Sequence, residues 1–534
     1  MRLIVAALAS AAIALPAAAQ QIDLNQINRV IDEGLNRSEV METAHHLTDR
    51  IGGRMTNSPQ MRQAEAWTQQ RFRDWGLTNV HAEGFPFGRG WSINRASARM
   101  TSPRIMELGI IPVAWTPPTN GTISAPIVIA PLEKEKDFAK WRGKLSGRIV
   151  LVSQPDTGSE PADAPFKRLT SEDLSKLDDF KQPSHSPAAI EKMLKEAELD
   201  EKRDAFLKAE GALAWVSKSY RDGGLLHGEG YAYEVGRTPA LPGVEMVAED
   251  YRRLARLAKT ATPPTLELLS DVRFHDEDVN AYNIIADIRG TDPRAGYVMA
   301  GAHLDSWVAG DGAQDNGAGS AVVMEAARIL ARIGARPKRT IRFALWNGEE
   351  QALLGSMAYV ERHFATRGPV TDPAHRRINP YYTWRQRWPI TLQPGHRDLA
   401  AYFNLDNGSG KIRGVYAEGN VAAVPILREW LGPFASMGAS TVSTRPTGGT
   451  DHVFMQAVGL PGFQFIQDPL DYGSRIHHTS IDTYDHLKAE DMRQASVILA
   501  SFPLNAANRD QPLPRTPVPT QPRPSDPFEY LKDD

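Results

Sequence analysis

The chain contains no cysteine, and that absence removes several chemistries at once. Disulfides, thiol nucleophiles, thiolate metal sites and a lipidated N-terminal cysteine are all excluded. Any metal must be held by nitrogen and oxygen. Beyond the N-terminus, no apolar run approaches the ~18 residues that would span a bilayer. Charge of one sign is also scarce: 61 Lys and Arg face 64 Asp and Glu, for a formal net charge of −3. So balanced a chain has no field to draw nucleic acid or an anionic membrane surface, and neither is expected as a partner.

What remains is a globular composition, 41% hydrophobic and 23% charged. Its 534 residues exceed what one core usually holds, so two domains are expected. Met1-Arg2 leads an apolar run from Leu3 to Leu15, followed by Pro16-Ala17-Ala18-Ala19-Gln20. Small residues at 17 and 19 form a signal-peptidase pattern. This predicts a cleaved leader over 1–19 and a secreted or periplasmic mature chain without a membrane anchor.

Residues 20–50 read as an amphipathic helical lead-in. Ser58 and Pro59 look like the N-cap and first position of a helix whose apolar stripe is Met61, Ala64, Trp67, Phe72 and Trp75, closed by Gly76. Val80 to Phe87 is a strand candidate. From Met106 to Val272 short apolar runs at 127, 149 and 212 alternate with turns, and Asp156 to Glu201 reads as a solvated excursion with a helix over Pro187 to Ala197. After Asp276 the pattern is α/β. Strands are expected at 279–288, 297–302, 340–346, 399–405 and 462–466, with helices at 317–333 and 352–362. Such alternation means a mixed, mainly parallel sheet with helices on both faces. The division expected is a first part of one domain (20–105), an inserted β-rich domain (106–272), the second part (273–509) and a Pro-rich tail (510–534), disordered or extended on the surface.

Ligands of open α/β sheets bind beyond the carboxyl ends of the strands. One strand ends in His303-Leu304-Asp305 and its glycine-rich loop carries Asp315. Another ends before Glu349-Glu350, a third at Asn404-Leu405-Asp406, and a late loop holds His477-His478 and Asp482. His303 and Asp305 sit at i and i+2, so the Asp305 carboxylate can bond the far nitrogen of His303 while the near one takes a metal. Two histidines and three carboxylates, with spare acids, suit a pair of Zn²⁺ ions. A carboxylate shared between two ions would let them act on one water.

Across residues 40–505 the motifs Ala302-His303-Leu304-Asp305-Ser306-Trp307, Asp315-Asn316-Gly317-Ala318-Gly319, Glu349-Glu350, Asn404-Leu405-Asp406 and His478-Thr479-x-x-Asp482-Thr483 together resemble the co-catalytic zinc exopeptidases. That group includes secreted aminopeptidases and glutamate carboxypeptidases, and the likeness is greatest to the plasma type of the latter. The block 106–272, especially Gly143 to Val152, resembles the protease-associated domain that several members insert.

The resemblance implies that Asp315 bridges two zincs, with His303 and Asp406 on one and Glu350 and His478 on the other. It implies Asp305 as the residue orienting His303, Glu349 as general base, and a cis bond between Asp315 and Asn316. Some relatives carry a tyrosine before the last histidine to stabilise an oxyanion; here His477 stands there, either as donor or as neighbour. Gly448-Gly449-Thr450-Asp451-His452 resembles a loop near the active site, with Asp451 and His452 on the substrate side or in a turn. The Arg- and aromatic-rich stretch 367–397 reads as a wall of the substrate cleft ahead of a surface excursion. His45-His46 reads as structural, Arg336 to Arg339 as a turn, and Gly228-Glu229-Gly230 lacks the context of a nucleotide loop.

The implied activity is hydrolysis of terminal peptide bonds, aminopeptidase or dipeptidase in type ahead of a glutamate carboxypeptidase. A binding protein on the same scaffold, like the transferrin receptor, would have lost ligands. A glutaminyl cyclase would hold one zinc. The partner expected is a peptide substrate, and a homodimer remains open.

Overall fold

The computed structural model describes residues 22–159, 164–179, 187–231 and 237–520. The leader expected over 1–19 lies outside them. So does the end of the tail.

Two eight-stranded sheets organise the chain. In the first, the order is Thr78–Pro86, Asn280–Ile288, Thr340–Trp346, Tyr297–His303, Leu399–Asn404, Gly462–Gln467, Ile412–Tyr416 and Thr441–Ser443. The four central strands, from Thr340–Trp346 to Gly462–Gln467, run parallel, and both flanks carry antiparallel pairs. This is the mixed, mainly parallel sheet expected. Alternation along each strand splits its side chains between two cores. Val298, Ala300, Ala302, Phe343, Leu345 and Phe403 pack beneath the Leu24–Asn36, Ala318–Arg332 and Ala489–Asn508 helices. Met299, Ala344, Trp346 and Tyr402 face the Leu354–His363 helix and Phe454 on the other side. The carboxyl ends of the parallel strands therefore share one edge.

The second sheet runs in the order Met106–Leu108, Gly90–Ser102, Thr265–His275, Ile123–Ile129, Ile149–Leu151, Ala214–Lys218, Gly243–Met246 and Ile110–Pro112. Its longest pairing joins Gly90–Ser102 to Thr265–His275, so it takes up chain before position 106, where the texture of the sequence changes. Its own core centres on Ile127, Ile149, Val216 and Leu254.

Several expectations need correction. The helix expected over Pro187 to Ala197 continues to Ala209, because Leu199, Phe206 and Leu207 pack against Phe138 and Val150. Nor is all of 156–201 a free excursion: Arg168 pairs with the buried Asp468 and Asp491 at 3.0 and 2.8 Å, and Lys167 bridges to Leu470. The strand expected from Ala212 is Ala214–Lys218. The described part of the tail lies extended on the body, with Leu513 buried and Arg515 donating to the carbonyls of Arg397 and Leu399. Among the described residues no helix is long and apolar enough to cross a membrane.

Candidate metal centre

Each strand end delivers its residue to one place. Tyr297–His303 ends in His303, whose ring is buried. Its Nε2 lies 3.3 Å from Asp315 Oδ1 and 3.4 Å from Asp406 Oδ1. On the far side of Asp315, Oδ2 lies 3.3 Å from His478 Nε2, which is itself 3.0 Å from Glu350 Oε2. Asp315 is thus shared between a His303–Asp406 pair and a Glu350–His478 pair. His477 stacks on His478 with ring centroids 3.7 Å apart and places its Nε2 3.6 Å from Asp315. Glu349 brings a carboxylate oxygen within 3.9 Å of His303 Nε2.

The backbone around the cluster explains how these side chains are held. Asp315 sits in a turn that begins at Gly312, whose φ is +60°. A Cβ there would meet Ser306 Oγ at 2.3 Å, so both conformation and space require glycine. The Asp315–Asn316 bond is cis, as the resemblance implied. The Asp482 carboxylate accepts the amides of Gln314 at 2.7 Å and Asp315 at 3.1 Å, which fixes the turn.

Asp305 orients His303 by a different atom than expected. Its backbone carbonyl, at 2.9 Å, is the partner of His303 Nδ1, while its carboxylate stands 3.7 Å away. A carbonyl beside the first ring nitrogen makes that nitrogen a donor, so in the neutral ring the lone pair lies on Nε2. The carboxylate instead receives the amides of Glu349 at 3.3 Å and Glu350 at 3.2 Å, pinning the turn that carries both acids.

Arg54, which no motif marks, cinches this edge. Fully buried, it donates to the carbonyls of Leu47, Gly52, Leu304, Asp311 and Gly312 at 2.7–3.0 Å. Burial lowers its pKa to about 10, so it stays charged at neutral pH. Replacing it as Arg54→Met strips donors from five carbonyls. A loss of about 3 kcal/mol or more is expected in urea unfolding; a loss under about 1 kcal/mol would show that water takes over the bonds.

Without a cation the cluster is electrostatically unsatisfied. Glu349 is pushed well above the carboxylate range by burial, although His303 opposes the shift and Asp406 and Asp451 add to it. Burial, then the charge of Asp315, raises Glu350 to about 7. For His303 and His478 burial works the other way, and the surrounding carboxylates overcome it and hold both rings protonated well above their usual range. Buried polar atoms without partners point inward: His303 Nε2, Asp315 Oδ2, Glu350 Oε1 and Asp406 Oδ1. A tetrahedral Zn²⁺ with ligands at ~2.0–2.2 Å sets its ligand atoms roughly 3.3 Å apart. The spacings of 3.0–3.4 Å found here fit that demand.

The remaining candidates separate. His452 is buried and commits Nε2 to Thr447 at 3.0 Å and Glu418 at 3.2 Å, which favours its turn reading. Asp451 is buried with neither oxygen partnered, and burial raises it to about 8. His46 stacks on Trp67 and His45 binds Asp49, outside the cluster. In the 367–397 stretch Trp384 is buried against Phe454, but Arg377 and Tyr382 face a cavity of about 660 Å³ that also reaches Trp115, Leu207, Tyr231 and Glu229.

Two more side chains at the cluster carry no sequence signal. Tyr472 packs edge-on against His477 with ring centroids 5.0 Å apart, and burial, with the charges of Asp315, Asp406 and Glu350, holds its pKa well above the ordinary value. The Glu229 carboxylate accepts from His478 Nδ1 at 2.8 Å.

With this geometry in view, comparison with known proteins is specific. The model of Peptidase family M28 matches residues 283–502. Carboxypeptidase Q of Mus musculus is 25% identical over 473 residues, 88% of this chain and 86% of that protein. The peptidase M28 precursor from Shewanella amazonensis is similar in fold, with TM-score 0.63 at 22% identity, over 93% of this chain and 99% of that one. BSAP, a zinc aminopeptidase from Bacillus subtilis, follows at 0.55 and 19%, over 89% and 97%.

Proposed function

For a chain whose residues 283–502 are a Peptidase family M28 domain, and which is a metallopeptidase by that domain, we propose a zinc-dependent exopeptidase. It removes terminal residues from peptides or dipeptides, with aminopeptidase-type activity. The observation that carries this reading is the convergence of His303, Asp315, Asp406, Glu350 and His478 on one small volume. We assign His303, Asp315 and Asp406 to one zinc, and Asp315, Glu350 and His478 to a second. Bound zinc supplies Lewis acidity, acidifying a water and polarising the scissile carbonyl.

The chain's own residues do the rest. Glu349 is the general base: its buried carboxyl takes a proton from the attacking water and passes it to the leaving amine. Asp305 and Asp482 hold the turns that carry Glu349, Glu350 and Asp315 in place. For the charge that develops on the carbonyl oxygen the donor is His477, whose Nε2 stands 3.6 Å from Asp315, with Tyr472 packed against its ring. The cavity beside Glu229, walled by Arg377 and Tyr382, takes the body of the substrate, and the buried Asp451 lies close enough to Glu349 to raise its proton affinity.

The second sheet is assigned to an inserted, protease-associated-like domain. The leader-like N-terminus supports a secreted or periplasmic protein. Similarity to carboxypeptidase Q over most of both chains favours, as a second reading, a carboxypeptidase or dipeptidase. A panel of amino-acid nitroanilides, unblocked dipeptides and N-blocked peptides with zinc separates the two. Cleavage of the first two classes is expected; cleavage of N-blocked peptides alone would reverse the direction of attack.

A further inference from the structure

We propose that Glu229, carried by the module of the second sheet, is a positioning residue for the metal ligand His478, so that the metal centre is completed by the docking of that module. The inference rests on the zinc reading above and assigns to the inserted sheet a part in it.

His478 is the ligand that most needs outside support. It lies on an irregular loop, its φ is +62°, and its side chain is 21% exposed, whereas that of His303 is 1% exposed. His303 has a carbonyl from its own strand end to fix its ring. His478 has no such local partner. Its Nδ1 meets Glu229 Oε1 at 2.8 Å across 249 residues of chain. A carboxylate there makes Nδ1 the donor, turns the Nε2 lone pair toward Asp315 and Glu350, and raises the basicity of that lone pair.

Glu229 is itself held by the second sheet. The Glu245 carboxylate, on the Gly243–Met246 strand, accepts the amides of His227 and Gly228, both at 3.1 Å, and pairs with His227 Nδ1 at 2.9 Å. That fixes the two residues before Glu229. The same loop then grips the segment bearing the ligand. Arg221 donates to the carbonyl of His477 at 3.2 Å, and Ser480 N donates to Leu226 O at 2.8 Å. Leu226 N in turn meets Ser480 Oγ at 3.3 Å. Three contacts on residues 477–480, plus the Glu229 bond, mean that His478 is placed from outside its own domain.

The test uses the full chain as Glu229→Ala and Glu229→Gln beside the parent, loaded with zinc and then titrated with a chelator of known affinity. Loss of a partner behind a metal-bound histidine typically weakens metal binding 10- to 100-fold. In Glu229→Ala one zinc is therefore expected to keep the parental affinity while the other weakens by roughly that factor. Glu229→Gln, whose amide oxygen still accepts from Nδ1, should fall between. Metal-free Glu229→Ala also loses its contact with the His478 ring, so its melting temperature is followed as a control, and the two zincs are expected to separate in affinity whatever that shift. Two parental zinc affinities in Glu229→Ala would overturn the inference and leave the peptidase reading standing. So would equal weakening of both zincs with a lower metal-free melting temperature, which would make Glu229 merely structural. A parent that binds no zinc would sink the reading, and this inference with it.

Discussion

If the proposed assignment holds, Glu349→Gln is expected to keep its zinc and lose turnover by about 10³-fold or more. Amide and carboxylate have nearly the same shape, so the turn pinned by Asp305 and the neighbouring Glu350, proposed above as a ligand, need not move. What the amide cannot do is take a proton. Positioned general bases contribute roughly 10²–10⁴-fold to rate, and Glu349 would act twice in each cycle, on the water and on the leaving amine. Its environment suits the task, because burial, with Asp406 and Asp451 nearby, raises its proton affinity far above that of a solvated carboxylate. Zinc content by elemental analysis and kcat on the best substrate of the panel decide the matter. A variant within about tenfold of the parent's kcat would remove Glu349 from the mechanism. A variant stripped of zinc would make it a ligand instead.

The sequence discloses those parts of the site that sit at the ends of regular elements. His303, Glu349, Glu350 and Asp406 each follow an apolar run that the structure shows as a parallel strand, and such strands must end at the same edge. The mixed sheet with two covered faces was legible for the same reason. Short strands were not: Ile412–Tyr416 and Thr441–Ser443 have too few residues for periodicity to register. Contacts made by backbone atoms were equally hidden. The i and i+2 spacing of His303 and Asp305 suggests a side-chain bond, yet the carbonyl makes it and the carboxylate serves the Glu349–Glu350 turn. Arg54, Tyr472 and Glu229 act across long stretches of chain or in irregular loops, where residue type and spacing carry no geometric information.

Removing the metal should destabilise the protein in a manner that depends on pH. Glu350 rises from its usual 4.5 to about 7 in the metal-free fold, and Asp451 from 3.8 to about 8, both chiefly because they are buried. Glu349 and Asp482 shift in the same direction, again mainly by burial, and the surrounding carboxylates raise His303 and His478 despite theirs. A group whose pKa is raised in the fold binds its proton more tightly there than in the unfolded chain. Its contribution is complete below the unfolded pKa and disappears as pH climbs through the folded one. All six therefore pull the same way, and the metal-free protein should lose stability steadily between about pH 4 and pH 8. Asp315, held well below its usual range by His303 and His478 in spite of burial, works oppositely, but its contribution changes only below about 3.8 and leaves this window alone. Cations at the cluster take the place of those protons, so zinc binding should release protons and its stabilising effect should grow with pH. With free zinc at about a thousand times its dissociation constant, each site adds roughly 4 kcal/mol. Melting curves at pH 5, 6.5 and 8, with chelator and with zinc, should show a falling series in the first case and a widening gap between the two. A metal-free series that rises with pH, or a zinc increment equal at pH 5 and pH 8, would mean that these buried acids are not what holds the metal.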